Sequence, residues 1–346
     1  MKDYEKRQYL SSIEAAKYMN ISVESLHSLV KAGDVDCFIA ASGQKRFKLE
    51  DLMNYGQNVA IQSKSAKTLT EVNKFSINGT KQIIYIKSSL SMKEIPMESV
   101  HLMITSPPYF NAKMYSRELI KDELGNIHNL DEWFDKIGNV WREVYRVLQP
   151  GRKAFINIMN LPIREKWGFR SLNLVGRTVD LMEEIGFIFK RDIVWEKTHG
   201  VKAHFGTYPY PGGILINNMH EFILEFNKPD RKGLKKYRHI TDEIRQASKL
   251  DKEFWLSLKN SDVWKMNPEN SGDNRSHVAP FPYELPYRII KAYSFIGETV
   301  LDPFVGSGTT LKAAIDLRRN GIGYEIVPEI AEAAVNSLKC YQVSFI

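Results

Sequence analysis

A glycine-rich turn between an apolar strand and a helix constrains the fold of this 346-residue chain more than any other feature. The strand is predicted over Thr299-Val-Leu and ends at Asp302, and the turn Phe304-Val-Gly-Ser-Gly308 follows it. A helix is predicted from Leu311 to Arg319. Two glycines in such a turn let the backbone approach a ligand at the carboxyl end of a parallel strand. The segment therefore predicts a βαβ unit of an open α/β sheet.

An acidic residue on the next strand indicates what this ligand contains. The strand is predicted from Gly321 to Ile326, and Glu325 lies about 20 residues after the turn, where a carboxylate accepts hydrogen bonds from ribose hydroxyls. The dinucleotide fingerprint fails because Leu311 follows the two threonines of the turn, so no pyrophosphate is required. We predict a nucleoside-containing cofactor, and a purely structural turn is the alternative.

A second turn, Thr105-Ser-Pro-Pro-Tyr-Phe, follows another predicted apolar strand. Proline has no N–H, so Pro107 and Pro108 cannot continue a strand ladder and instead fix a rigid turn with outward carbonyls. The Ser106 hydroxyl and a neighbouring carbonyl can accept both hydrogens of an exocyclic amine, and the Tyr109 ring can stack on its base. This arrangement predicts methylation of an amine nitrogen. The alternative is a plain surface turn.

The alternation of strands and helices predicts an α/β protein with a doubly wound sheet. Besides the elements above, we predict strands at 82–86, 100–105, 154–158 and 187–195 and helices at 131–148, 172–185 and 285–294. The predicted divisions are a helix-turn-helix-like domain over 1–56, a polar linker over 57–74, a catalytic half over 75–195, an insert over 196–275 and a cofactor-binding half over 276–346.

The N-terminal segment predicts two short helices joined by a tight turn. Ser11 or Ser12 can cap the first helix and Ser22 the second. A turn, a short strand and a closing helix are predicted to follow. The segments Leu10-Ser-Ser-Ile-Glu-Ala-Ala-Lys-Tyr and Lys45-Arg-Phe-Lys-Leu-Glu-Asp-Leu resemble the winged helix-turn-helix of the MerR and excisionase type. Either the second helix enters a DNA groove, or the domain packs against the body or mediates dimerisation.

Together, the Ser-Pro-Pro-Tyr turn and the Phe-x-Gly-x-Gly turn resemble the two motifs of the amino-methylating DNA methyltransferases. The catalytic motif comes first in this chain, which resembles the permuted order of the β group. Further resemblance lies in His277-Val-Ala-Pro-Phe-Pro and Tyr145-Arg-Val-Leu-Gln-Pro-Gly, and the whole extends from about Ile83 to Tyr341. It implies a Rossmann-like methyltransferase sheet that uses S-adenosyl-L-methionine to methylate an exocyclic amine of double-stranded DNA.

The resemblance also implies a role for individual residues. The cofactor pocket is assigned to Asp302, Phe304, Gly306, Gly308, Thr309, Phe281 and, at the ribose, Glu325. The methyl acceptor is assigned to Ser106, Pro107, Pro108 and Tyr109. Serine at the first position resembles members that methylate cytosine N4, whereas aspartate is usual for adenine N6. Cytosine N4 is therefore expected and adenine N6 is the alternative. No third cofactor motif is visible after Glu325.

The predicted insert lies where the β group carries its target-recognition region. It contains a basic run that suits contact with DNA phosphates. The run consists of Lys228, Arg231, Lys232, Lys235, Lys236 and Arg238. The alternative is a solvated surface. The histidines of the insert lack metal-ligand spacing, so we expect polar surface or phosphate contacts and no metal. They are His199, His204, His220 and His239.

The composition bounds partners and location. Lys and Arg number 48 against 41 Asp and Glu, and the resulting net charge of +7 permits a polyanionic partner without requiring one. The two cysteines, Cys37 and Cys340, have no C-x-x-C companion, which favours a reducing, cytoplasmic setting. Neither follows a proline, as carbon-5 methylation would need. No apolar run reaches about 18 residues, so we expect neither secretion nor a membrane span.

Two rival functions are compatible with parts of this pattern. Similar Pro-Pro-Tyr turns hold other acceptors, so methylation of RNA or of a protein glutamine is one rival, although the permuted motif order and the insert argue against it. A non-catalytic DNA-binding regulator is the other, and the intact motif residues argue against it. The resemblance leaves open whether a cognate restriction endonuclease accompanies the enzyme.

Overall fold

A computed structural model of the chain describes residues 9–19, 21, 23–33, 35–39, 44–53, 55, 71–110, 120–166, 168–198, 212, 216–234, 236–268 and 281–341. Contacts divide the chain into two compact units, residues 1–69 with 108–136 and residues 70–107 with 137–346. None of the helices in the described part of the chain combines the length and apolar character needed to cross a bilayer.

The first unit contains a three-stranded antiparallel sheet in the order β1-β3-β2, together with short helices. A reciprocal cap starts the first helix, because the Ser11 N–H donates to Glu14 Oε2 at 2.9 Å and the Glu14 N–H donates to Ser11 Oγ at 3.3 Å. Both predicted helices are confirmed, whereas Ser22 lies outside the described residues. The elements are β1 (Tyr9–Ser11), α1 (Ser12–Met19), α2 (Val23–Ala32), β2 (Phe38–Ile39), β3 (Lys45–Lys48), α3 (residues 49–53) and a 3-10 turn at Leu124–Asn126.

The second unit is built on a nine-stranded sheet in the order β12-β10-β11-β7-β6-β13-β14-β5-β4, and a separate hairpin is formed by β8 and β9. The strands are β4 (Glu71–Ile77), β5 (Thr80–Ile86), β6 (Val100–Thr105), β7 (Leu148–Ile158), β8 (Leu161–Glu165), β9 (Gly168–Leu172), β10 (Ile188–Lys197), β11 (His220–Asn227), β12 (Val263–Met266), β13 (Thr299–Asp302) and β14 (Asn320–Glu325).

Five adjacent strands, β7, β6, β13, β14 and β5, run parallel. Their ends form what is here called the carboxyl edge of the sheet, and their starts form the amino edge. β4 and β11 run antiparallel to their neighbours. Central strands covered on both faces read as continuous apolar runs, and Leu102, Met103 and Ile104 of β6 are indeed all fully buried. The predicted open α/β sheet is confirmed.

The helices of this unit pack their apolar faces on the sheet. Leu285 and Ile289 of α8 are fully buried in one cluster with Leu102 and Phe155 of the strands. α5 ends where predicted, at Gly186, which has a φ of +112°. The helices are α4 (Leu130–Val147, of which residues 137–147 belong to this unit), α5 (Leu174–Ile185), α6 (Asp242–Ala247), α7 (Lys252–Lys259), α8 (Glu284–Tyr293), α9 (Thr309–Asp316) and α10 (Pro328–Lys339).

The predicted linker is wrong at its end, because residues 71–74 belong to β4. This strand lies at the border of the sheet and pairs only with β5. Its side chains alternate between exposed and half-buried, with Val72 exposed and Phe75 half-buried. A one-sided edge strand needs few apolar residues, so its polar sequence resembles a linker.

The predicted insert is also wrong in part. β10 continues to Lys197, and β11 and β12 lie inside the range 196–275 as full members of the central sheet. β12 is only four residues long and alternates, with Trp264 and Met266 buried and Val263 and Lys265 exposed. A strand of four residues is too short to show a clear alternating pattern in the sequence.

Candidate active site

The two predicted motif turns begin at neighbouring strand ends. β6 and β13 are neighbouring parallel strands, with Leu102 opposite Val300 in the register. At their ends, the Thr105 hydroxyl donates to Asp302 Oδ1 at 2.6 Å. Ser106 is the next residue after Thr105, so it leaves the carboxyl edge directly beside the strand that leads into the glycine turn. The first residue of the acceptor motif and the glycine turn therefore follow adjacent strands at the same edge of the sheet.

Asp302 joins the strand ends to the following helix. Its side chain is about 1% exposed. Oδ1 also accepts from the Phe304 N–H at 3.0 Å, and Oδ2 accepts from the Thr310 hydroxyl at 2.6 Å. Burial raises the pKa of Asp302 to about 6, although all three hydrogen bonds favour the charged form. Asp302 thus positions the turn from inside the protein, and its direct contact with the cofactor stays a prediction.

The two glycines of the turn serve different purposes. Gly306 has a φ of +49°, and among the described residues an added Cβ would meet nothing closer than the Phe304 carbonyl oxygen at 4.0 Å, which leaves space for a ligand beside it. Gly308 has a φ of +88°, and its added Cβ would lie 3.1 Å from Leu338 Cδ1 of α10. Gly308 also precedes the first residue of α9. The turn therefore offers the backbone cradle that a nucleoside cofactor needs.

Glu325 is tied to this cradle. Its Oε2 accepts from the Gly306 N–H at 3.2 Å, and its Oε1 accepts from the Val327 N–H at 2.9 Å. The carboxylate at the end of β14 is thus held against the glycine turn at the carboxyl edge. This place agrees with the role that the sequence predicts for it, although its bond to a ribose stays a prediction.

The remaining predicted cofactor residues have the following contacts within the protein. The Phe304 ring meets the Trp141 ring edge to face, with 6.2 Å between centroids. Thr309 is the first residue of α9, and its hydroxyl lies 3.1 Å from that of Ser307. Phe281 is buried in the apolar cluster that contains α8. Its neighbour Pro280 lies outside the described residues.

The predicted acceptor motif continues beyond the sheet in an irregular segment. Ser106 is half-buried and Pro107 is buried. Pro108 and Tyr109 are half-buried and belong to the part of the chain that groups with the first unit. The roles of these four residues stay predictions.

The predicted DNA-binding run lies at the opposite edge. β11 runs antiparallel to β7, and its last residue, Asn227, pairs with Lys153, which lies opposite Leu102 near the start of β6. The Gly151 N–H then donates to the Lys228 carbonyl at 2.9 Å. The chain therefore leaves β11 at the amino edge, across the sheet from Ser106. This placement depends on the direction of β11, which the order of residues along the chain does not reveal.

Individual members of the run have other partners. Lys228 is wrong as a DNA contact, because it is about 7% exposed and its Nζ donates to two main-chain carbonyls at 2.7 and 2.8 Å. Burial lowers its pKa. Arg231 forms an ion pair with Glu98. Lys232 and Arg238 are exposed, Lys236 is half-buried, and Lys235 lies outside the described residues.

One histidine of the predicted insert, the exposed His239, lies beside a buried carboxylate at the amino edge. His239 Nε2 lies 2.8 Å from Glu298 Oε1, and His101 completes a group with donor atoms within 4.8 Å of one another. Burial lowers the pKa of His101 to about 4, so its imidazole is neutral. Arg152 is already ion-paired with Glu298. The carboxylate charge is therefore compensated, and we assign the cluster to internal electrostatics.

Of the other histidines of the predicted insert, only His220 lies among the described residues. His220 is the first residue of β11, and its ring packs edge to face against Phe222. His199 and His204 lie outside the described residues.

The fold and the site define a methyltransferase of the amino-methylating class. The DNA methylase family model of N6/N4 type matches residues 100–336, and the chain belongs to this family. Its cofactor is S-adenosyl-L-methionine. The open space at Gly306 and the carboxylate of Glu325 beside it fit a nucleoside cofactor.

Particular relatives agree with this assignment. The chain is 35% identical over 283 residues to the Type II methyltransferase M.MjaI of Methanocaldococcus jannaschii, which covers 71% of this chain and 88% of the relative. It is 31% identical over 277 residues to the Type II methyltransferase M.MthZI of Methanothermobacter thermautotrophicus. This alignment covers 73% of this chain and 76% of the relative.

Solved structures show the same fold. The protein TTHA0409 of Thermus thermophilus, solved in complex with S-adenosyl-L-methionine, is 30% identical with a TM-score of 0.57, over 72% of this chain and 90% of that protein. The cytosine-N4-specific PvuII DNA methyltransferase is 21% identical with a TM-score of 0.56, and the match covers 76% of this chain and 88% of that protein. At this lower identity, the second likeness concerns the fold alone.

Proposed function

We propose that this DNA methyltransferase transfers a methyl group to N4 of cytosine in double-stranded DNA. The observation that carries the proposal is the hydrogen bond between Thr105 and Asp302, since it sets the Ser106 turn beside the glycine turn. Serine at the first position of the acceptor motif supports cytosine. Adenine N6 is the alternative.

S-adenosyl-L-methionine, when bound, supplies an electrophilic methyl group on a sulfonium sulfur. The cofactor would be held by Gly306 and its neighbours in the turn, with Glu325 at the ribose hydroxyls. The Ser106 hydroxyl and the adjacent main-chain carbonyls would accept the amine hydrogens of the base and direct the nitrogen lone pair outward. The Tyr109 ring, three residues further along the chain, would stack on the base. Positioning and electrostatics then supply most of the rate.

A base inside a duplex cannot reach the edge of a sheet, so the target must be flipped out of the stack. Unstacking and unpairing cost a few kcal/mol, and stacking on Tyr109 would return about 1–3 kcal/mol. After transfer, the methylated nitrogen is acidic, and its proton can leave to the Ser106 oxygen, a carbonyl or water. No covalent enzyme intermediate is needed, because the amine itself attacks the methyl group.

Two finer features belong to the same proposal. The order of the motifs supports membership of the β group, and the short helices of the first unit support a winged helix-turn-helix that contacts DNA. The Type II names of M.MjaI and M.MthZI support a setting with a cognate restriction endonuclease.

The product nucleoside tests the proposal directly. Unmethylated DNA amplified by PCR is incubated with the enzyme and methyl-labelled S-adenosyl-L-methionine, digested to nucleosides and chromatographed. We expect label in N4-methylcytosine and almost none with Ser106→Ala. Label in N6-methyladenine would overturn the choice of cytosine, and label in 5-methylcytosine or in no nucleoside would overturn the proposal itself.

A further inference from the structure

The amino edge of the central sheet contains a cavity of about 400 Å³. One wall comes from the start of β7 and the residues after β11, including Lys153 and Lys236, and the other comes from the end of α8, including Lys291. Both motif turns leave the sheet at the carboxyl edge, so this cavity is separate from the candidate active site. Its volume lies within the range of about 300–1,000 Å³ that is typical of small-molecule sites.

The walls are rich in positive charge. Four cationic side chains line the cavity, and no aspartate or glutamate is among the described residues that line it. The four are Arg152, Lys153, Lys236 and Lys291. Each of these cations is paired with a carboxylate outside the lining, so the cavity offers charged hydrogen-bond donors without a large net charge. Such donors suit an anion with several acceptor oxygens, because hydrogen bonds from charged donors to phosphate are among the stronger ones in proteins.

Two of these cations are fixed in the wall by buried carboxylates. Arg152 pairs with Glu298 and Lys153 pairs with Glu225, and both carboxylates are at most 3% exposed in their side chains. Arg152 is itself buried, and its Nε has no hydrogen-bond partner among the described residues. This nitrogen has almost no accessible surface, so Arg152 shapes the wall of the cavity from inside the protein.

The other two cations have more exposed carboxylate partners, although Lys236 Nζ also donates to the Gly151 carbonyl at 3.4 Å and Lys291 Nζ lies 4.4 Å from the centroid of the Phe254 ring. Lys236 Nζ lies 3.6 Å from Oδ2 of Asp230, whose side chain is 68% exposed. Lys291 Nζ lies 3.3 Å from Oδ2 of Asp251, whose side chain is 58% exposed. Exposed ion pairs of this kind contribute little to stability, so an incoming anion can replace the carboxylates. Lys236 and Lys291 are therefore available to converge on a ligand between the two walls.

We propose that this amino-edge cavity binds a phosphate-bearing small molecule of about nucleotide size. Lys236 and Lys291 contact the phosphate oxygens. The site is independent of the proposed choice of target base, since it uses neither motif turn.

Binding of ADP to the full-length protein tests the proposal. Calorimetry is performed with saturating S-adenosylhomocysteine, which occupies the cofactor site and removes any signal from ADP bound there. Inorganic pyrophosphate and adenosine are titrated separately to distinguish the phosphate from the nucleoside. The variant is Lys236→Gln/Lys291→Gln. The matched control is Lys190→Gln/Lys249→Gln, which removes the same charge from two exposed lysines outside the cavity.

We expect ADP and pyrophosphate to bind the wild type and the control equally, adenosine not to bind, and the cavity variant to lose at least tenfold in affinity while S-adenosylhomocysteine still binds. No binding of ADP or pyrophosphate up to about 5 mM would overturn the proposal. So would equal affinity in variant and control, loss of the ADP signal on blocking the cofactor site, or binding of adenosine alone. Displacement of ADP by a short DNA duplex through the same two lysines would reassign the site to DNA.

Discussion

Replacing the buried carboxyl of Asp302 by an amide should change how the stability of the protein depends on pH. Burial raises the pKa of this group from its ordinary value of 3.8 to about 6 in the folded protein. The folded state therefore holds a proton at pH values where the unfolded chain has lost it. Each unit of pKa difference equals about 1.4 kcal/mol, so the proton contributes about 3 kcal/mol to the free energy of unfolding.

The sign of the effect follows from which state binds the proton. The contribution is fully present below about pH 4 and is lost as the pH rises through about 6. In Asp302→Asn this titration is absent, whereas every other titrating group remains. The difference in free energy of unfolding between the wild type and the variant should therefore fall by about 3 kcal/mol between pH 4 and pH 7.

Urea denaturation of both proteins at intervals between pH 4 and pH 8 measures this difference. The slope of unfolding free energy against urea should be the same for both proteins, so that the comparison concerns stability alone. A difference that does not vary with pH would refute the reasoning. A difference that grows with rising pH would show instead that the folded protein favours the charged carboxylate.

Three further predictions concern the glycine turn and the amino edge. Gly308→Ala should weaken cofactor binding, measured by calorimetry, at least tenfold. The control is Gly297→Ala, because Gly297 has a similar φ of +82° and its added Cβ would meet no described residue within 4 Å. It should cost only about 1–2 kcal/mol of stability and leave cofactor binding intact. Lys228→Met should lower the free energy of unfolding in urea by about 2–4 kcal/mol, because two buried carbonyls lose their donor. Lys232→Gln/Arg238→Gln should leave the salt dependence of DNA binding unchanged, and a flatter slope would return the basic run to the DNA interface.

The sequence predicts the central part of the fold well, because its signals are local. The strand that ends at Thr105 and the turn that follows Asp302 both combine an apolar run with proline or glycine, and both are found where predicted. The border strands are different. β4 and β12 each show one face to solvent or are very short, so their sequences lack the apolar run that identifies a central strand. α10 is also absent from the predicted elements, because the resemblance to the family provides no motif beyond Glu325.

The positions of the motif residues at the ends of strands could be predicted from the sequence, but the burial of their side chains could not. Gly306 and Glu325 lie together because their strands are neighbours, which the order of motifs already implied. That the Asp302 side chain is buried beneath the turn depends on tertiary packing. The misplacement of Lys228 has the same origin, because a charged residue in a basic run looks exposed until the direction of the preceding strand is known.

The central claim is that the acceptor turn and the cofactor turn form one site with separable duties. Ser106→Ala tests it most directly when cofactor affinity and the single-turnover rate of methyl transfer to DNA are measured on the same preparation. The account predicts a cofactor dissociation constant within about twofold of the wild type and a transfer rate at least about a hundredfold lower. A transfer rate that is unchanged, or a loss of cofactor affinity as large as the loss of rate, would contradict it.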